Sequence, residues 1–164
     1  MLTNIISTIF IIFIVFIIFC SLFNGKVFKT KSGYTVRATD EDTANVMDEL
    51  ISMAHDVPNK LKEPYSSELR DKSKNTSYVE IIGGNKKIVG WNKGKGREIG
   101  IRIMKNEKVP YSAKMIVDTL LHELAHSITD SFGHGEEWDD NNDYFQKLRP
   151  HYVELLKNKT FIKH

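Results

Sequence analysis

Two histidines four residues apart, His122 and His126, constrain the fold of this chain more than any other feature, because they lie in an amphipathic segment. The five residues from one to the other read HELAH. An α-helix places residues i and i+4 on the same face, about one turn apart, so both imidazoles can reach one metal ion. Glu123 lies beside the first histidine and can reach a water molecule at that metal. The segment therefore predicts a helix that carries a metal site on its outer face.

Apolar residues recur with the period of a helix over residues 112–130. Ser112 suits the N-cap position, and the helix is expected to end near Asp130, before a turn at residues 133–135. That turn would bring His134 back towards the metal as a third ligand. The side chains expected to face the core, opposite the two helical histidines, are Ala113, Val117, Leu120, Leu121, Leu124 and Ile128.

The cysteine content limits the possible metal ligands. The chain has one cysteine, Cys20, so neither a cysteine zinc site nor an intrachain disulfide can form. Histidine and carboxylate ligands remain, and three histidines around zinc leave its fourth position open to water. Asp130, or an acidic residue between 136 and 143, is the alternative to His134 as the third ligand.

The N-terminal segment predicts a membrane anchor. The 19 residues of segment 5–23 are nearly all apolar and carry no charge, which is enough to span a bilayer core of about 30 Å. A cleaved signal peptide would require a basic residue before the segment, and none is present. An uncleaved transmembrane helix is therefore predicted. Lys26, Lys29 and Lys31 follow it, and the positive-inside rule then predicts a single-pass protein whose C-terminal domain faces the cytosol.

These features divide the chain into an anchor over residues 1–25, a linker over 26–33 and one domain over 34–164. Helical and alternating patterns are interleaved in the domain. Strands are predicted at residues 34–37, 78–82, 87–91 and 98–104, and helices other than the HELAH helix are predicted to begin near residues 39, 136 and 150.

The order of several motifs resembles the WLM family, the Wss-like metalloproteases. From Gly90 the chain reads GWNKGKGREIGIRIMK and then KVPYSAKMIVDTLLHELAHS. Family members have a G-x-N-x-x-x-G segment and a strand of I-x-L-R-L type before an active helix that reads T-M-L-H-E-L-x-H. A third histidine follows, with an aromatic residue four positions later, and His134 and Trp138 take those places. The likeness covers roughly residues 78–148.

Two features depart from that pattern. Seven residues separate His126 from His134, whereas the family usually has a shorter spacer. Gly135 follows the third histidine where the family commonly has Asp. A His-Gly pair followed by an aromatic residue is similar instead to the related SprT/Spartan zinc metalloproteases.

The resemblance implies a zincin-like α+β domain in which a short sheet packs on the HELAH helix. Residues 98–104 would be the edge strand that lines the cleft, where a protein or peptide substrate can add as a further strand. It also implies a zinc peptidase in which His122, His126 and His134 bind Zn²⁺, and with the anchor predicted from segment 5–23 the protein is expected to be a membrane-anchored zinc peptidase. Glu123 would activate the water molecule and pass its proton to the leaving amine.

Two alternatives stay open. Relatives in the family act on proteins crosslinked or bound to DNA, and eight basic residues between 86 and 108 could meet a phosphate backbone. They are Lys86, Lys87, Lys93, Lys95, Arg97, Arg102, Lys105 and Lys108. A net charge of +2 is too small to indicate a polyanionic partner by itself. The other alternative is a non-enzymatic, membrane-anchored protein whose metal site only stabilises the domain.

Overall fold

The computed structural model describes residues 9–14, 25–106, 108–131, 133–159 and 162. Its elements confirm the predicted α+β class. The strands are β1 (Lys26–Lys29), β2 (Thr35–Ala38), β3 (Ser77–Glu80), β4 (Gly90–Lys93) and β5 (Glu98–Ile101). The helices with described bounds are α1 (Glu41–Lys60), α2 (Tyr65–Ser73), α3 (Ala113–Ile128), α4 (Glu136–Gln146) and α5 (Arg149–Lys159).

The strands form one mixed sheet in the order β1-β2-β3-β5-β4. β3 pairs in parallel with both β2 and β5, while β1 and β4 pair antiparallel with β2 and β5 respectively. The sequence predicts residues 98–104 at the edge of the sheet, and this prediction is wrong. β5 is interior because the β4–β5 hairpin folds β4 to its outer side, so β4 is the edge strand.

Helices α1 and α3 pack against the sheet, α1 on β2 and β3 and α3 on β4 and β5. Helices α4 and α5 pack in turn on α3. The predicted limits of α3 are confirmed, since Ser112 accepts a hydrogen bond from the backbone N–H of Met115 and the helix ends at Ile128. All six side chains predicted to face the core are buried: Ala113, Val117, Leu120, Leu121, Leu124 and Ile128. The opposite face of α3 is therefore left for the histidines.

The predicted transmembrane helix needs correction. Most of segment 5–23, namely residues 5–8 and 15–23, is outside the described part of the chain. Residues 9–14, the described part of the segment, are helical and exposed. Among the described residues no helix is long and apolar enough to cross a membrane. The membrane helix in the predicted fold, and the single-pass location derived from it, are contradicted.

Part of the segment expected to be a linker, residues 26–33, has regular structure. Strand β1 pairs with β2 from Lys26 opposite Ala38 to Lys29 opposite Thr35. A tight turn joins the two strands, with the N–H of Gly33 donating to the carbonyl of Thr30 at 3.0 Å. The sheet therefore gains a strand for which the short sequence KVFK gives little signal.

Candidate metal centre

The three histidines predicted as ligands lie together on the outer face of α3. His122 and His126 stand one turn apart on the helix, and His134 reaches them from the loop between α3 and α4. One ring nitrogen of each lies within 4.8 Å of the other two. Within the described residues, this group of potential metal ligands contains the three histidines and no carboxylate.

The spacing of two of these nitrogens fits zinc. The Nε2 atoms of His126 and His134 are 3.2 Å apart. Two ligands bound to one tetrahedral zinc at about 2.0–2.1 Å stand about 3.3 Å from each other. Three imidazoles are also a donor set that zinc accepts while keeping a fourth position for water or substrate. The residues present therefore fit a zinc ion with one open position.

Both helical histidines are held in the neutral form. Burial, together with nearby His122, His134 and Lys95, lowers the pKa of His126 to about 4. Burial and nearby His134 lower the pKa of His122 as well. Because neutral imidazole is the form that coordinates a metal, these two rings are ready to bind one at neutral pH.

The Trp138 side chain forms a wall behind the three rings. Its ring centroid lies 4.7 Å from that of His122, 5.1 Å from that of His126 and 4.2 Å from that of His134. It projects from the first turn of α4 and is buried. The packing limits the positions open to the imidazoles and excludes water from one side of the site.

The Glu123 carboxylate lies next to the histidines and against the edge strand. The side chain is 5% exposed, and burial raises its pKa to about 7. Gly90 of β4 passes so close that a Cβ atom built there would stand 2.5 Å from Oε1 of Glu123. A carboxyl group with a pKa near the working pH can both accept and return a proton, as a general base must.

An open cleft runs past this carboxylate on both sides. A cavity of about 650 Å³ lies between the chain leading into β4 and helices α3 and α4, with Ile88, Met115 and Arg149 in its walls. A second cavity of about 360 Å³ contains the three histidines. His122, Glu123 and Gly90 line both cavities, so the glutamate stands where the two halves of the cleft meet.

Asn92 links the edge strand to α3 behind the site, a role that could not be assigned from the sequence. Its side-chain amide donates to the carbonyl of Glu123 at 2.7 Å and to Oγ of Ser127 at 2.8 Å. Its Oδ1 accepts from the N–H of Gly96 at 2.7 Å, which closes the β4–β5 turn. The only sequence signal was the G-x-N motif. The contacts show that this asparagine joins the turn to α3.

Glu137, one of the alternative third ligands, uses its carboxylate in other contacts. The N–H of Asp130 donates to Oε1 of Glu137 at 2.9 Å, and the N–H of Ser131 donates to Oε2 at 3.2 Å. These two hydrogen bonds lower the pKa of the Glu137 carboxyl. Its carboxylate therefore supports the loop that carries His134.

Two cations of the predicted phosphate-binding surface are used inside the fold. Arg102 is buried and donates from Nε to the carbonyl of Ile88 and from Nη2 to that of Gly83, both at 2.8 Å. Lys95 donates from Nζ to the carbonyl oxygens of residues 129–131. The surface is therefore less basic than the sequence suggests, and DNA binding stays a prediction.

Comparisons with known proteins agree with this architecture. A family model described as the WLM domain matches residues 69–151, just over half of the chain. The crystal structure of Wss1 from Saccharomyces cerevisiae is similar with a TM-score of 0.52 at 18% identity, covering 73% of this chain and 88% of that one. A Wss1 mutant from the same yeast gives a TM-score of 0.49 at 16% identity, covering 73% and 90%. At such identities the likeness to the first structure is one of fold alone. No curated protein matches the chain.

Proposed function

Because this chain belongs to the WLM family, a family of metalloproteases, we propose that it is a zinc-dependent peptidase that hydrolyses peptide bonds in protein substrates. The observation that carries the proposal is the convergence of three histidines and Glu123 in the middle of an open cleft. Structural zinc sites are closed by four protein ligands, whereas catalytic sites keep one position open. The open cleft therefore favours catalysis over a purely structural metal.

Each residue of the centre has a distinct part in the proposed reaction. Zinc held by His122, His126 and His134 would polarise the scissile carbonyl and make a water molecule at its open position more acidic. Glu123 accepts a proton from the attacking water and returns it to the leaving amine. Trp138 keeps the imidazoles in place.

The edge strand provides a natural place for the substrate. An extended peptide can pair with an exposed strand through main-chain hydrogen bonds, and β4 is that strand here. A peptide on β4 would pass Glu123, since Gly90 lies against the carboxylate. The cavities on either side would take side chains that flank the scissile bond, and Ile88 and Met115 give the larger one apolar walls.

The test compares the full-length wild-type chain with Glu123→Gln, each incubated with zinc and a denatured protein. Wild type is expected to cleave the substrate. The variant should keep its zinc and its melting temperature, because Glu123 is not a ligand, but lose about 10²–10⁴-fold in turnover. His126→Ala is the matched control on the same helix face and should lose zinc and turnover together.

Two outcomes would contradict the proposal. Unchanged turnover in Glu123→Gln would remove this residue from the mechanism. Zinc-loaded wild type without turnover, on denatured and on DNA-bound proteins alike, would leave the non-enzymatic alternative, in which the metal only stabilises the domain.

A further inference from the structure

The loop between α3 and α4, which carries His134, is held from two sides by side chains that bind its backbone groups. It runs from Thr129, just after α3, to Gly135, just before α4. A loop of this length has many conformations, and ordering it costs free energy that would weaken metal binding by its histidine. The contacts that order the loop in this structure therefore affect how tightly His134 can bind a metal.

Lys95 holds one side of the loop. Its ammonium donates to the carbonyl oxygen of Thr129, to that of Asp130 at 3.1 Å and to that of Ser131 at 2.6 Å. An ammonium has three N–H donors, and three acceptors are matched to them here. These carbonyls follow the C-terminal end of α3, where the helix dipole also favours a positive charge.

The backbone beneath Lys95 is fixed. Lys95 has a φ of 57°, between Gly94 at 61° and Gly96 at 91°, so three successive residues are in the left-handed region and form a tight turn. Gly96 lies against α3, where an added Cβ would stand 2.8 Å from Oγ of Ser127. Asn92 bonds both to this turn and to α3. The turn is therefore held in place, and it directs the Lys95 side chain towards the loop.

Glu137 holds the other side of the loop. Its two carboxylate oxygens accept the N–H groups of Asp130 and Ser131 at 2.9 and 3.2 Å. The same two residues thus have their carbonyls bound by Lys95 and their N–H groups bound by Glu137. The chain reaches His134 three residues later, where Trp138 packs on its ring.

We infer that Lys95 is a positioning residue for the third metal ligand. Together with Glu137 it fixes the α3–α4 loop so that His134 stands at its ligand position before a metal arrives. The inference rests on the proposed zinc site. It adds that the β4–β5 turn, at the end of the strand that lines the cleft, determines how tightly this site holds its metal.

The test measures zinc affinity and the rate of zinc release for the full-length chain, by competition with a chromophoric chelator. Lys95→Met keeps the length of the side chain but removes its donors. Zinc affinity should fall by about 10-fold or more, the usual effect of losing a group that orients a ligand, and release should accelerate. Lys93→Met is the matched control, since Lys93 lies in the same hairpin and its exposed ammonium pairs with Glu98 at 3.2 Å. It should bind zinc as wild type does.

A second variant reaches the loop from its other side. Glu137→Ala removes the two acceptors without touching the left-handed turn, so it gives a result even if Lys95→Met does not fold. It should also weaken zinc binding and accelerate release. Wild-type zinc affinity in Glu137→Ala, or in a folded Lys95→Met, would overturn the inference.

A double-mutant cycle shows whether the effect passes through His134. His134→Ala leaves two ligands and only weak binding, so the cycle is measured at zinc concentrations high enough to detect it. Adding Lys95→Met in that background should cause little further loss of zinc affinity. An equal loss in both backgrounds would mean that Lys95 acts on the helix instead, and the inference would be wrong. Failure of the wild-type chain to bind zinc would defeat the proposed function and the inference with it. Wild type that binds zinc and cleaves protein, beside a Lys95→Met variant of equal affinity, would defeat the inference alone.

Discussion

Glu123 depends on the absence of a side chain on the neighbouring strand. A Cβ at Gly90 would stand 2.5 Å from the Oε1 atom of Glu123 and 2.4 Å from the Cγ2 atom of Thr119. Neither distance is compatible with unchanged positions. The absence of a side chain at Gly90 therefore lets the edge strand lie directly against the carboxylate.

Gly90→Ala should therefore reduce peptide hydrolysis while leaving zinc binding intact. The new methyl group pushes the carboxylate from its place, and a shift of about 1 Å can cost about 100-fold in rate. Turnover and zinc content are measured on the same preparation. Replacing Thr119 with Ser in addition removes one of the two clashes but not the one with Glu123, so it should not restore turnover. Full activity in Gly90→Ala would show that Glu123 has more freedom than this packing indicates.

At the scale of elements, Glu80 connects the sheet to the first helix. It ends β3, is buried, and accepts a hydrogen bond from the backbone N–H of Thr39 at 2.6 Å, just before α1 begins. Burial raises the pKa of this carboxyl above its ordinary value of 4.5, although the hydrogen bonds from Thr39 and Thr43 oppose the shift. The folded state therefore holds this proton more tightly than the unfolded state does.

The raised pKa gives a pH dependence with a definite sign. As the pH rises above about 4.5, the unfolded state loses the Glu80 proton first, so this group makes folding less favourable until its folded-state pKa is passed. Glu80→Gln keeps an acceptor for Thr39 but cannot ionise. Urea unfolding of both proteins from pH 4 to 8 should show wild type losing stability relative to the variant as the pH rises. A difference that stays constant, or that grows in favour of wild type, would contradict the assignment.

In the molecule as a whole, the proposed metal centre joins parts of the chain that lie apart in the sequence. Its three histidines come from α3 and from the loop before α4, and Trp138 packs on them from α4. An unfolded chain does not hold three imidazoles at one point. Zinc should therefore bind the folded state almost exclusively and stabilise the entire domain.

Zinc at 100 times its dissociation constant should stabilise the chain by about 2.7 kcal/mol. A chelator should accordingly lower the melting temperature of wild type, and added zinc should restore it. The variant His122→Ala/His126→Ala keeps the apolar face of α3 but lacks two ligands, so neither treatment should move its melting temperature. An equal shift in both proteins would show that the metal binds elsewhere.

Features that depend on neighbouring residues could be predicted from the sequence. Helical period and capping gave α3 its limits and its buried face, and the four-residue spacing put His122 and His126 on one side of it. The order of motifs identified the WLM family, which the family model confirms. The same local reasoning predicted a membrane helix over segment 5–23, whereas among the described residues no helix is long and apolar enough to cross a membrane.

Which distant residues come into contact depends on the tertiary structure. Strand order put β4 rather than β5 at the edge, and nothing within either strand encodes that choice. Lys95 reads in the sequence as one more surface cation, yet it bonds to the carbonyl of Thr129, 34 residues away. Contacts of this kind arise when the chain brings separate segments within hydrogen-bond distance, and the free energy of that packing belongs to the assembled domain, not to any one segment.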